Sequence, residues 1–96
     1  MAKTRARVLI SGFVQGVNFR YYTRQEARIH GVTGWVRNNP DGSVEAVFEG
    51  EEEDVRRMVQ WCFRGPSLAR VDRVDVEWQP YSGEFGDFEV ERGRFW

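Results

Sequence analysis

Ninety-six residues, 41% hydrophobic and 30% charged, suit one folded domain spanning 1–96 and exclude a disordered chain. Fourteen basic against fifteen acidic residues leave a net charge of −1, which argues against a general nucleic-acid binder. No apolar run approaches the roughly 20 residues of a membrane span.

The basic set is lopsided, with Lys3 the single lysine beside thirteen arginines. Arginine suits bidentate recognition of phosphate or carboxylate, although genome composition or heat stability would leave the same bias. Cys62 is the only cysteine, so no internal disulfide forms and a reducing, cytoplasmic compartment is expected. Lys3, Arg5 and Arg7 precede a short apolar run, a weak likeness to a secretion signal. Ser11 and Gly12 interrupt that run and no small-residue cleavage site follows, so a first strand is the better reading.

In chain order, Ala6, Val8 and Ile10 alternate with Arg7 and Leu9, the period of a strand over 6–10. Gly12 breaks it. A helix is expected over 19–30, with Phe19, Thr23, Ala27 and His30 on its inward stripe, Tyr22 nearby and Gly31 as its stop. Strands are expected over 32–38 and 43–49, joined by the hairpin turn Asn39-Pro40-Asp41-Gly42. The acids Glu51, Glu52, Glu53 and Asp54 open a second helix and complement its dipole better than they would form a metal site. Val55, Met58, Val59 and Cys62 make its buried stripe, which marks Cys62 as a core thiol. Gly65-Pro66 stops that helix, and strands follow over 71–78 and 85–92. The order β-α-β-β-α-β predicts an α+β, ferredoxin-like sandwich: an antiparallel sheet of four to five strands with two helices on one face.

One segment carries chemistry. Gly12-Phe13-Val14-Gln15-Gly16-Val17-Asn18-Phe19-Arg20 joins the first strand to the first helix. Its glycines allow positive φ, successive N–H groups can form an anion-binding nest, and the helix start adds unpaired donors. Arg20 can then grip two phosphate oxygens. The Gly-Lys-Ser/Thr ending of a nucleotide P-loop is missing, as is the dinucleotide fingerprint. From the residues alone an ordinary βα turn with a solvated arginine fits as well.

The segment resembles the acylphosphatase signature G-x-V-Q-G-V-x-F-R at every fixed position. A second family signature resembles Gly34-Trp35-Val36-Arg37-Asn38 with Gly42, Val44 and Gly50 at the family spacing. The resemblance implies a hydrolase that cleaves the carboxyl–phosphate bond of acyl phosphates without metal or cofactor. It implies that Arg20, with the backbone amides of Gln15, Gly16, Val17, Asn18, Phe19 and Arg20, binds the substrate phosphate or a similar anion. Asn38 would orient the attacking water; its alternative role is a turn cap, the role left to Asn39 and Asp41. His30 stands where the family more often has an aliphatic residue and is expected to be packed or at the surface edge. The terminal Phe95-Trp96 has no account. A monomer is expected, with small acyl phosphates as substrates and neither nucleic acid nor membrane as partners.

Two other readings compete with this one. A βαββαβ module can bind RNA through aromatic residues on its open sheet face. Here Phe48 looks like core, and Glu45 and Glu49, taken as exposed, would repel a phosphate backbone. An acylphosphatase-like domain can also belong to a larger maturation enzyme, which the short chain disfavours.

Overall fold

A computed structural model describes residues 2–91. Its elements are β1 (Lys3–Phe13), α1 (Phe19–Ile29), β2 (Thr33–Asn38), β3 (Val44–Glu51), α2 (Glu52–Cys62), β4 (Arg70–Gln79) and β5 (Phe88–Val90). The five strands form one sheet in the order β4-β1-β3-β2-β5. The first four are mutually antiparallel, as expected. β5 corrects that expectation, because it pairs parallel with β2 and makes the sheet mixed.

The register explains why. Gln79, Arg5, Glu49 and Thr33 lie opposite one another in a row across the sheet. The chain therefore leaves β4 at the end where β2 begins, and after crossing the sheet it can only start beside β2 and run with it. The crossing spans about 19 Å at the usual strand spacing. Residues 80–87 cover it with slack to spare. The last strand is also shorter than the expected 85–92, and Arg92, with Phe95 and Trp96, lies outside the described residues.

Alternation sorts the core. Ala6, Val8 and Ile10 of β1, Val44, Ala46 and Phe48 of β3, Val36 of β2 and Phe88 of β5 are buried on the helix-covered face. The α1 stripe is Phe19, Thr23 and Ala27, and the α2 stripe is Val55, Met58, Val59 and Cys62. His30 sits just past α1 at the surface edge, beside Glu26. Tyr22 is turned out to solvent, away from the inward stripe. Burial pushes the Cys62 thiol up, leaving it unreactive. The α2 acids lie in its first turn, where Glu52 and Asp54 also pair with Arg56 and Arg57.

Two glycines are required by close approach. At Gly12 β1 bulges and its register with β4 shifts; an added Cβ would meet the Arg70 carbonyl oxygen at 2.3 Å. At Gly34, a Cβ would meet the Val47 carbonyl oxygen at 1.8 Å. β1 thus continues through Phe13, past the expected break at Gly12.

The uncovered sheet face departs from expectation. Glu45 and Glu49, expected to be exposed acids, are 4% and 0% exposed. Glu45 accepts from Arg7 Nε at 2.7 Å and Arg37 Nη2 at 3.1 Å. Glu49 accepts from Arg5 Nη1 at 3.2 Å, Ser82 Oγ at 2.7 Å, and the Ser82 and Gly83 amides at 2.9 and 3.0 Å. The crossing segment folds over Glu49 and is held by it. Arg37 in turn lies over the Trp35 ring, 4.8 Å from its centroid. Among the described residues, neutralised acids and a covered tryptophan leave no bare aromatic platform on the central strands.

Burial works against the ionised Glu49, but the Ser82 hydroxyl and amide, the Gly83 amide and Arg5 outweigh it and hold its carboxyl below the usual glutamate range. A depressed native pKa contributes stability that is fully present above the unfolded-state value and is lost as pH falls through the native one. Glu49→Gln is therefore expected to cost about 2 kcal/mol in urea denaturation at neutral pH, and to flatten the acid side of the stability–pH profile. An unchanged profile would contradict this account of Glu49.

Candidate active site

The cradle forms where β1 gives way to α1. Gly16 has φ 76° and Asn18 has φ 63°, two left-handed residues on either side of Val17. Glycine adopts that conformation freely and asparagine tolerates it better than most residues. Alternation of this kind turns successive N–H groups to one side. Asn18 is the residue that caps α1, yet its side chain makes no capping hydrogen bond. Among the described residues, none of the backbone N–H groups of Gln15, Gly16, Val17, Asn18, Phe19 or Arg20 donates to a protein acceptor. The helix N-terminus adds its partial positive charge at the same place.

Hydrophobic packing fixes the loop from below. Val14, Val17 and Phe19 are buried. Phe19 meets the Trp61 ring edge-on at 5.5 Å, and Gly65, with φ 67°, lets the chain after α2 close against the Phe19 ring. The Phe19 carbonyl also accepts from Thr23 Oγ1 at 2.7 Å. The loop is held from the side by Gln15, whose Nε2 donates to the Asn39 carbonyl at 2.7 Å and the Ser43 carbonyl at 2.9 Å. That pair of bonds clamps the loop to the β2–β3 hairpin.

The hairpin itself is stiff. Asp41 Oδ1 accepts from the Ser43 amide at 2.9 Å and hydroxyl at 2.7 Å, bonds that keep its carboxyl below the ordinary range. Asn39 Nδ2 donates to Ser43 Oγ and Glu45 Oε1. Both residues thus serve the turn, as expected. Asn38, the last residue of β2, pairs in register with the core-facing Val44, so it shares the helix-covered side of the sheet with Val36.

A cavity of about 650 Å³ opens at this end of the sheet, lined among others by Gly16, Asn18, Phe19, Arg20 and Asn38. The two side chains expected to do the chemistry, on elements 18 residues apart in sequence, therefore share one cleft. Gln15 and Val17 belong to the loop but do not line the cleft. Arg20 is half-buried in the first turn of α1 and forms no ion pair among the described residues. No three of His, Cys, Asp and Glu among the described residues come together in a way that could hold a metal ion.

Sequence reasoning missed the Gln15 side chain, considered only for its backbone, and Arg24, which also lines the cleft. The i, i+4 spacing from Arg20 was the available signal for Arg24. Nothing short of the hairpin's position reveals the Gln15 clamp.

Two helices over one face of a five-stranded sheet, with a left-handed loop leading into the first helix, define an α+β protein of the ferredoxin-like class. The acylphosphatase family model matches residues 6–90. The acylphosphatase of Pelotomaculum thermopropionicum is 54% identical over 90 residues, covering 94% of this chain and 98% of that protein. The structure of an acylphosphatase from Coxiella burnetii matches with a TM-score of 0.88 at 37% identity over 93% of each chain. The phosphate- and nucleotide-bound structure of full-length HypF matches with a TM-score of 0.85 at 28% identity, covering 94% of this chain but 12% of that one. The chain belongs to the acylphosphatase family, and it is a hydrolase of small-molecule acyl phosphates.

The clamp yields a test of its own. Gln15→Ala removes two hydrogen bonds to part-buried carbonyls and is expected to lower stability by about 1–2 kcal/mol in chemical denaturation. A denaturation midpoint equal to that of the wild type would mean that the clamp does not hold the loop.

Proposed function

We propose that the backbone amides of residues 15–20 and the Arg20 guanidinium bind the phosphoryl group of an acyl phosphate, while Asn38 holds the attacking water. The observation that carries this reading is the run of six N–H groups that have no protein acceptor among the described residues, beside Arg20, which forms no ion pair among them, and Asn38 in one cleft. An anion with several acceptor oxygens answers all of these donors at once.

The chemistry asks little more of the protein. Water oxygen forms a bond to phosphorus as the phosphorus–oxygen bond to the acyl group breaks. The products are a carboxylate and inorganic phosphate. The carboxylate's conjugate acid has a pKa of about 4–5, so it leaves without a general acid. Charge on the equatorial phosphoryl oxygens is met by the nest and Arg20, fixed in place before the reaction begins. The Asn38 side-chain amide orients water toward phosphorus, and the proton that water loses passes to the phosphate itself. No resident cation is needed in this scheme. The same reading makes the chain a monomeric, single-domain enzyme of the cytoplasm, consistent with its one buried cysteine.

Hydrolysis of benzoyl phosphate, followed by ultraviolet absorbance with EDTA present, tests the scheme. Arg20→Ala is expected to lower kcat/KM by on the order of 10²–10³ and to weaken competitive inhibition by inorganic phosphate. Arg20→Lys should recover little, since one ammonium cannot reproduce the guanidinium fork. Asn38→Ala should lower kcat about 10²-fold while leaving phosphate inhibition nearly intact. Survival of activity in Arg20→Ala, equal losses of kcat and phosphate affinity in Asn38→Ala, or loss of wild-type turnover on chelation would each overturn the corresponding part.

A further inference from the structure

α1 carries arginines at positions 20, 24 and 28, each four residues from the next. At that spacing three guanidiniums line one side of the helix, and like charges so placed destabilise it slightly. Only one is compensated among the described residues. Arg28 Nη2 donates to Asp87 Oδ2 at 2.9 Å. Asp87 is held below its ordinary range by the Phe88 amide and by Arg28, with Arg24 contributing from farther off.

Arg24 is left without an ion-pair partner among the described residues, and its Nε is shut off from solvent without any hydrogen bond. An orphaned buried donor is costly, so Arg24 is held in this place at the expense of one unmade bond. Its guanidinium stands 5.9 Å from the centroid of the Tyr21 ring, and both residues line the cleft that holds Arg20 and Asn38. Helical side chains lean toward the N-terminus, so Arg24 leans back toward the cradle from one turn beyond Arg20. Val90 of β5 lines the same cleft. The stretch beside Arg24 lies outside the nest, where the acyl part of a substrate must go once its phosphoryl group is seated.

On the reading of the site given above, we propose that Arg24 is a specificity residue that receives an anion on the acyl group. The preferred substrates are then acyl phosphates bearing a second carboxylate or phosphate on the acyl part, with Tyr21 and Val90 flanking the carbon skeleton. The phosphoryl charge is already met by the nest and Arg20, which leaves Arg24 to discriminate between acyl groups.

Benzoyl phosphate and 4-carboxybenzoyl phosphate test this, because they share the reacting bond and differ by one carboxylate on a rigid ring that cannot attack its own phosphate. Wild-type kcat/KM should favour the carboxylated substrate by about tenfold, mostly through KM, as one charge-assisted bidentate contact allows. Added salt should erode the preference. In Arg24→Gln the ratio should fall to about one, and Arg24→Lys should restore part of it. A ratio unchanged in Arg24→Gln would overturn the assignment. So would equal losses on both substrates, which would make Arg24 a phosphate ligand or a structural residue. Failure of the wild type to hydrolyse either compound would instead overturn the acylphosphatase reading on which the proposal rests.

Discussion

Everything at the active end of this molecule follows from how the chain passes from β1 into α1. A helix start leaves N–H groups without partners, and left-handed residues at Gly16 and Asn18 turn those of the preceding loop the same way. Such donors must find an acceptor or remain in water. Among the described residues none of them finds a protein acceptor, and Gly16, Asn18, Phe19 and Arg20 line a cleft that the surrounding packing holds in shape. Phe19 is pinned between Trp61 and the Gly65 turn, and Gln15 is pinned to the Asn39 and Ser43 carbonyls. The clamp matters because the water-positioning candidate, Asn38, sits at the base of that same hairpin. One side chain thereby couples the position of the proposed phosphate site to that of the residue proposed to deliver water.

The two faces of the sheet divide the arginines into different jobs. On the uncovered face, Arg5, Arg7 and Arg37 neutralise Glu49 and Glu45, both buried. These pairs hold the crossing segment and the central strands. At the cleft, Arg20 and Arg24 have no such ion-pair partners among the described residues. A near-neutral chain can thus present a locally cationic pocket, which is what an anionic substrate requires.

Much of this was legible from the residues in order. The period-2 alternation of β1 and β3, the α2 stripe and the Asn39-Pro40-Asp41-Gly42 turn each encode local structure directly. The glycine-flanked segment before Arg20 was legible as a tight strand-to-helix turn, and alternation placed Asn38 on the helix side. What escaped was set by elements far apart in sequence. Glu45 and Glu49 look like solvent-facing acids until Arg5, Arg7, Arg37 and the crossing segment close over them. The parallel pairing of β5 depends on which end of the sheet the chain crosses, a matter of register across four strands. The Gln15 clamp depends on a hairpin 24 residues away.

The central claim is that the amides of residues 15–20 are the phosphate site, and nuclear magnetic resonance tests it most directly. Titration of the ¹⁵N-labelled protein with inorganic phosphate should shift the backbone amides of Gln15 through Arg20 and the Arg20 side-chain Nε together, along one saturating curve. Shifts confined to the arginine-rich uncovered face, or no saturable shift in the loop, would contradict the account.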